Sequence, residues 1–138
     1  MARICKVLVV EDDDAVRHML GDVFDDEGYH FTLVKNSLEM RGALERDEYE
    51  VAIIDVSLRG SEDGLKLAEL AVEYGCGVIL TSGDPAQVAR AGESEWRFLP
   101  KPFRVQNMIA LVDQVLKETE ARCIRRPRPG NTVFPIQA

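Results

Sequence analysis

Five short aliphatic runs alternate along the chain with segments of helical period, and this alternation constrains the fold more than any single residue does. Lys6-Val7-Leu8-Val9-Val10 carries β-branched residues on both faces, as a central parallel strand should. His30 to Val34 reads as a second, weaker strand. Val51-Ala52-Ile53-Ile54-Asp55, Gly77-Val78-Ile79-Leu80-Thr81 and Trp96 to Leu99 follow as the third, fourth and fifth. Between them, Val16, Leu20, Val23, Phe24 and Glu27 mark one helical face closed by Gly28. Asn36 with Glu39 resembles a capping box for a helix through about Arg46. A loop from Val56 to Asp63 precedes a helix from Gly64 to about Tyr74, and Asp84-Pro85 starts a short helix ending near Gly92. Val105, Met108, Ile109, Val112, Val115 and Leu116 give the last apolar stripe. Five βα repeats predict an α/β fold, a doubly wound parallel sheet with helices on both faces and right-handed crossovers. Such sheets bind ligands beyond the carboxyl ends of their strands.

The 138 residues suit one domain, and no linker divides the chain before about residue 120. The expected organisation is a domain over 1–120 and a basic, Pro- and Arg-containing tail over 121–138. The net charge of −7 is uneven: four arginines against two glutamates give residues 118–138 a net of +2, leaving −9 on residues 1–117. An acidic body argues against nucleic-acid binding, which needs clustered Lys and Arg. The tail reads as an unstructured extension, with an adaptor arm as the alternative. No apolar run approaches the roughly 20 residues that span a bilayer, and the N-terminus lacks signal-peptide anatomy, so a cytoplasmic, membrane-free protein is expected. Cys5, Cys76 and Cys123 are odd in number and scattered; they match neither a disulfide framework nor a zinc site and fit a reducing compartment, with Cys5 and Cys76 as small core fillers. His18 and His30 lack partners at ligand spacing and read as surface groups, and Trp96 as packing at the edge of the sheet.

The strand ends carry the chemistry. The first strand runs into Glu11-Asp12-Asp13-Asp14, the third ends in Asp55, the fourth in Thr81-Ser82, and Lys101-Pro102 follows the fifth. Singly, each has an ordinary explanation: acids favour helix starts, an Asp caps turns, and a Lys is solvated. Jointly, converging carboxylates repel unless a cation lies among them, and hard oxygen ligands select Mg²⁺ or Mn²⁺. A Lys and a Thr hydroxyl beside them suit a dianionic group, with Asp55 as nucleophile on phosphorus.

Val7-Leu8-Val9-Val10-Glu11-Asp12-Asp13, Ile53-Ile54-Asp55, Leu80-Thr81-Ser82 and Phe98-Leu99-Pro100-Lys101-Pro102-Phe103 resemble the signature blocks of two-component response regulator receiver domains, in the family's order, over about residues 4–117. The resemblance implies a flavodoxin-like five-stranded sheet of order 2-1-3-4-5, an order for which a chemotaxis receiver is a standard example. It implies that Asp55 is the phosphoacceptor, fed by a phosphohistidine on a sensor histidine kinase or histidine phosphotransfer protein. Asp12 would be a direct metal ligand beside Asp55, Glu11 a ligand through water, and the Ser57 backbone carbonyl another. Thr81 and Lys101 would hold phosphoryl oxygens, Phe98 takes the aromatic switch position, and the Lys101–Pro102 bond is expected to be cis. With too few residues left for an effector domain, output would pass to a downstream protein partner, by relay or by homodimerisation, through the face of the fourth helix, fifth strand and last helix. Two features depart from the family: Arg59 replaces the usual Pro four residues after Asp55, and Gly64 comes nine residues on rather than eight, which lengthens the loop. Gly83 and Ser57 are small, so attacking water is expected to reach the phosphorylated residue easily and make that state short-lived.

Three rivals use related features. An Asp-nucleophile, Mg²⁺-dependent phosphatase would need a second Asp where Ser57 stands. A flavin-binding module would meet repulsion between its phosphate and Asp12 to Asp14. A receiver-like scaffold independent of phosphorylation would have no use for the complete set of acids, Thr and Lys.

Overall fold

The structure, a computed structural model, describes residues 2–58, 63–118, 122–124 and 132–133. Its main sheet is built on β2 (Lys6–Val10), which pairs with β3 (His30–Val34) on one side and β4 (Val51–Asp55) on the other. β5 (Gly77–Ser82) and β6 (Arg97–Pro100) extend the sheet beyond β4. All of these pairings are parallel, so the five core strands stand in the expected order 2-1-3-4-5.

Helices cover both faces, because β-strand side chains alternate between them. Leu8, Val10, Ala52, Ile54, Val78 and Leu80 point to one face, beneath α2 (Ser37–Arg46) and α3 (Gly64–Glu73). Val7, Val9, Val51, Ile53 and Ile79 point to the other, beneath α1 (Asp14–Asp26) and α5 (Val105–Glu118). α4 (Pro85–Gly92) packs near β5 and β6. Each fully buried side chain of this kind, such as Leu8, Phe24 or Met108, stabilises the fold by about 1.5–3 kcal/mol. Val115 packs so tightly on the start of β5 that a Cβ on Gly77 would lie 2.3 Å from its Cγ1, so only glycine fits there.

The caps follow the sequence signals. Asp13 Oδ1 accepts the Val16 N–H at 3.0 Å and starts α1; Gly28, at φ 81°, lies just beyond its end. Asn36 Oδ1 accepts the Glu39 N–H at 2.8 Å, while Glu39 Oε1 accepts the Lys35 N–H at 3.0 Å. Asp84 Oδ1 accepts the Ala86 N–H at 3.0 Å at the start of α4.

Four features depart from expectation. Parts of the region read as an unstructured extension form strands: β7 (Arg122–Ile124) pairs in parallel with β1 (Ala2–Ile4), and β8 (Thr132–Val133) adds a parallel sixth strand outside β3. Cys5 is buried and disulfide-bonded, against the expectation of reduced thiols, whereas Cys76 is free. His30 is buried, not a surface group, because every residue of β3 is covered. The fifth strand begins at Arg97, with Trp96 packed half-buried against the core just before it. Among the described residues, no helix is long and apolar enough to cross a membrane.

Candidate functional site

The parallel topology brings the carboxyl ends of β2, β4, β5 and β6 to one edge. Glu11 and Asp12 leave β2, Asp55 closes β4, Thr81 stands opposite Asp55 in β5, and Lys101 follows β6. Glu11, Asp12 and Asp55 each offer an oxygen, all within 4.8 Å of one another. Glu11 and Asp55 are only 2% and 3% exposed, so their charges face little solvent screening. Lys101 Nζ lies 2.7 Å from Glu11 Oε1 and 2.9 Å from Asp55 Oδ2. Ser57 holds the other oxygen of Asp55, donating to Oδ1 from its N–H at 2.8 Å and its hydroxyl at 2.6 Å.

These contacts divide the two acids. Burial raises the Asp55 carboxyl, but the Ser57 hydroxyl, the Lys101 ammonium and the Ser57 N–H outweigh it and hold Asp55 below its usual range. Burial dominates at Glu11 and, with the charge of Asp55, pushes it up to about 7 against the hydrogen bonds from Lys101 and Asp13. Lys101 loses by burial but gains more from Glu11 and Asp55, and stays firmly protonated. Asp55 is therefore an ionised, oriented carboxylate with a cation at its side. A hard divalent ion such as Mg²⁺ fits this donor set, since three clustered carboxylate oxygens are what such ions select.

Thr81 is buried, and its carbonyl accepts the Val56 N–H at 2.9 Å, tying the ends of β4 and β5 together. Phe98 is half-buried, pairs with Leu80 in the ladder and packs on the core beneath α2 and α3. The Lys101–Pro102 bond is cis, as expected. Arg59 and Gly60, in the lengthened loop, lie outside the described residues. The end of that loop is fixed: a Cβ on Gly64 would lie 2.4 Å from the Val56 Cα, so α3 begins directly against the residue after Asp55. Gly83 lies near the Lys101 stem and leaves room beside it. An apolar groove of about 410 Å³, lined by Val16, Met19, Gly83, Lys101, Pro102 and Phe103, adjoins the site. Cys76 lies buried elsewhere, its thiol pushed up to about 12 by burial and thus unreactive.

Sequence reasoning missed Arg17. It is buried on α1, and its Nη1 donates to the Glu11 carbonyl at 2.9 Å. The only available signal was its spacing of three residues from Asp14, with which it forms an ion pair.

Known proteins share this fold. The model of the response regulator receiver domain matches residues 7–113. Regulatory protein VirG of Rhizobium rhizogenes is 30% identical over 119 residues, which cover 81% of this chain and 48% of that protein. The chain thus spans about half the length of the curated relatives it matches. The signal receiver domain of an HD domain-containing protein from Pseudomonas fluorescens Pf-5 superposes with a TM-score of 0.76 at 22% identity, covering 86% of this chain and 98% of that one. A response regulator from Burkholderia pseudomallei, solved with a phosphorylated aspartic acid, calcium ion and citrate, gives 0.69 at 20% identity, over 84% and 71%. Strand order and family match agree: the chain belongs to the response regulator receiver domains of two-component systems.

Proposed function

We propose that this receiver accepts a phosphoryl group on Asp55 from a phosphohistidine of a sensor histidine kinase or histidine phosphotransfer protein. The observation that carries the reading is the treatment of Asp55: one oxygen held by Ser57, the other by Lys101, beside two further carboxylates. The ionised carboxylate attacks phosphorus; an O–P bond forms, and the N–P bond breaks with its electron pair returning to the donor imidazole. Lys101 stabilises charge on the transferring oxygens. Glu11, Asp12, Asp55 and the Ser57 carbonyl would hold Mg²⁺ or Mn²⁺, which supplies further charge neutralisation when bound. A fold neighbour solved with a phosphorylated aspartic acid and a calcium ion supports the same chemistry.

Signalling follows from the neighbours of Asp55. The Thr81 hydroxyl donates to a phosphoryl oxygen, and its inward movement makes room for the Phe98 ring. The face of α4, β6 and α5 then changes shape for a downstream protein partner. The test is phosphotransfer: a phosphohistidine-bearing donor labelled on phosphate should pass its label to this chain in Mg²⁺, and not in excess EDTA. Label that stays on every histidine donor, and on acetyl phosphate, contradicts the reading.

A further inference from the structure

We propose that Arg17 is a positioning residue for the acidic site, holding the Glu11 main chain so that Glu11 and Asp12 leave β2 preorganised for a divalent ion. The inference rests on the reading of those acids as metal ligands. Ladder pairing with β3 and β4 stops at Val10, so the Glu11 carbonyl lies beyond the strand pairs. Arg17 Nη1 takes it up at 2.9 Å. The other polar groups of Glu11 are also engaged: its N–H donates to the Val34 carbonyl at 3.0 Å, Oε1 lies 2.7 Å from Lys101 Nζ, and Oε2 accepts the Asp13 N–H at 3.1 Å. Arg17 therefore fixes the one backbone group of Glu11 that the sheet leaves out.

The cost of this arrangement points to function. Arg17 is 5% exposed, and a buried guanidinium is favourable only when its donors are met. Nη1 has the Glu11 carbonyl and Nη2 the Asp14 carboxylate, but Nε is buried with no hydrogen-bond partner. An apolar side chain of similar length would fill the same space without that orphan. What it would lose is the two-armed grip that joins the end of β2 to the first turn of α1, across Asp12 and Asp13. A planar guanidinium spans both acceptors; a lysine ammonium is a point donor that serves one at a time.

Calorimetric titration of Mg²⁺ into the full chain, paired with thermal melting in EDTA, tests this. Arg17→Met should fold, with a metal-free melting temperature close to the unsubstituted protein, yet bind Mg²⁺ about 10–100-fold more weakly, the range typical for loss of a group that orients a metal ligand. Arg17→Lys should weaken binding severalfold. An unchanged Mg²⁺ Kd in folded Arg17→Met overturns the inference while leaving the metal site intact. Should Arg17→Met fail to fold, an unchanged Kd in Arg17→Lys overturns it equally. If the unsubstituted chain shows no Mg²⁺ binding that depends on Asp12, the metal reading itself fails and takes the inference with it.

Discussion

Lys101 Nζ lies 2.9 Å from Asp55 Oδ2, although the two residues are 46 positions apart and end different strands. The same ammonium reaches Glu11, so one cation serves two buried acids. A phosphoryl group placed on Asp55, as proposed, would meet a positive charge that is already in place and needs no reorganisation.

Lys101→Met should therefore slow labelling by acetyl phosphate by about 10²-fold, the scale expected for removing one preorganised charge-stabilising donor. The rate of radiolabel incorporation at saturating Mg²⁺ measures this directly. Circular dichroism should be unchanged, since the Lys101 stem lies at the rim of the sheet.

Mg²⁺ should raise the melting temperature of the chain, because it relieves repulsion among Glu11, Asp12 and Asp55 in the folded state alone. Asp12→Ala should lose that response together with labelling. Scanning calorimetry with and without the ion checks it; an intact response in Asp12→Ala places the ion elsewhere.

Thr81→Ala should still accept phosphate at Asp55 but fail to pass the signal to residue 98, and Phe98→Ala should show the same output defect. A coupling of about 1–3 kcal/mol between site and surface is enough for a useful switch. Methyl or ¹⁹F NMR spectra with and without beryllofluoride read the change; a full shift at residue 98 in Thr81→Ala contradicts the coupling.

Truncation after Ala121 should lower the melting temperature, because it removes β7 from β1 and uncovers the outer edge of β3 by deleting β8. An open strand edge invites pairing between molecules, so sedimentation should reveal self-association. Equal stability and an unchanged sedimentation profile would show that these pairings contribute nothing.

β2, β4 and β5 were legible because nearly all their residues are buried on both faces and are therefore largely apolar, a pattern short enough to recognise. The site was legible for a related reason: Glu11, Asp12, Asp55, Thr81 and Lys101 all sit where strands end, and parallel topology sends those ends to one edge. β1, β7 and β8 were not, since pieces of two or three residues exist only through pairing between distant parts of the chain. Arg17 escaped notice because a helical arginine normally faces water; its burial follows from the Glu11 carbonyl that it reaches. His30 misled likewise, as a polar residue in a strand that is buried along its whole length.

The most direct test of the central claim is to locate the phosphoryl group. After labelling with acetyl phosphate and Mg²⁺, borohydride reduction converts an aspartyl phosphate to homoserine, which peptide mass spectrometry can place. The expected result is homoserine at position 55 alone, and none in Asp55→Asn. Homoserine at Asp12 or Asp13, or labelling that persists in Asp55→Asn, would contradict the assignment of Asp55 as phosphoacceptor.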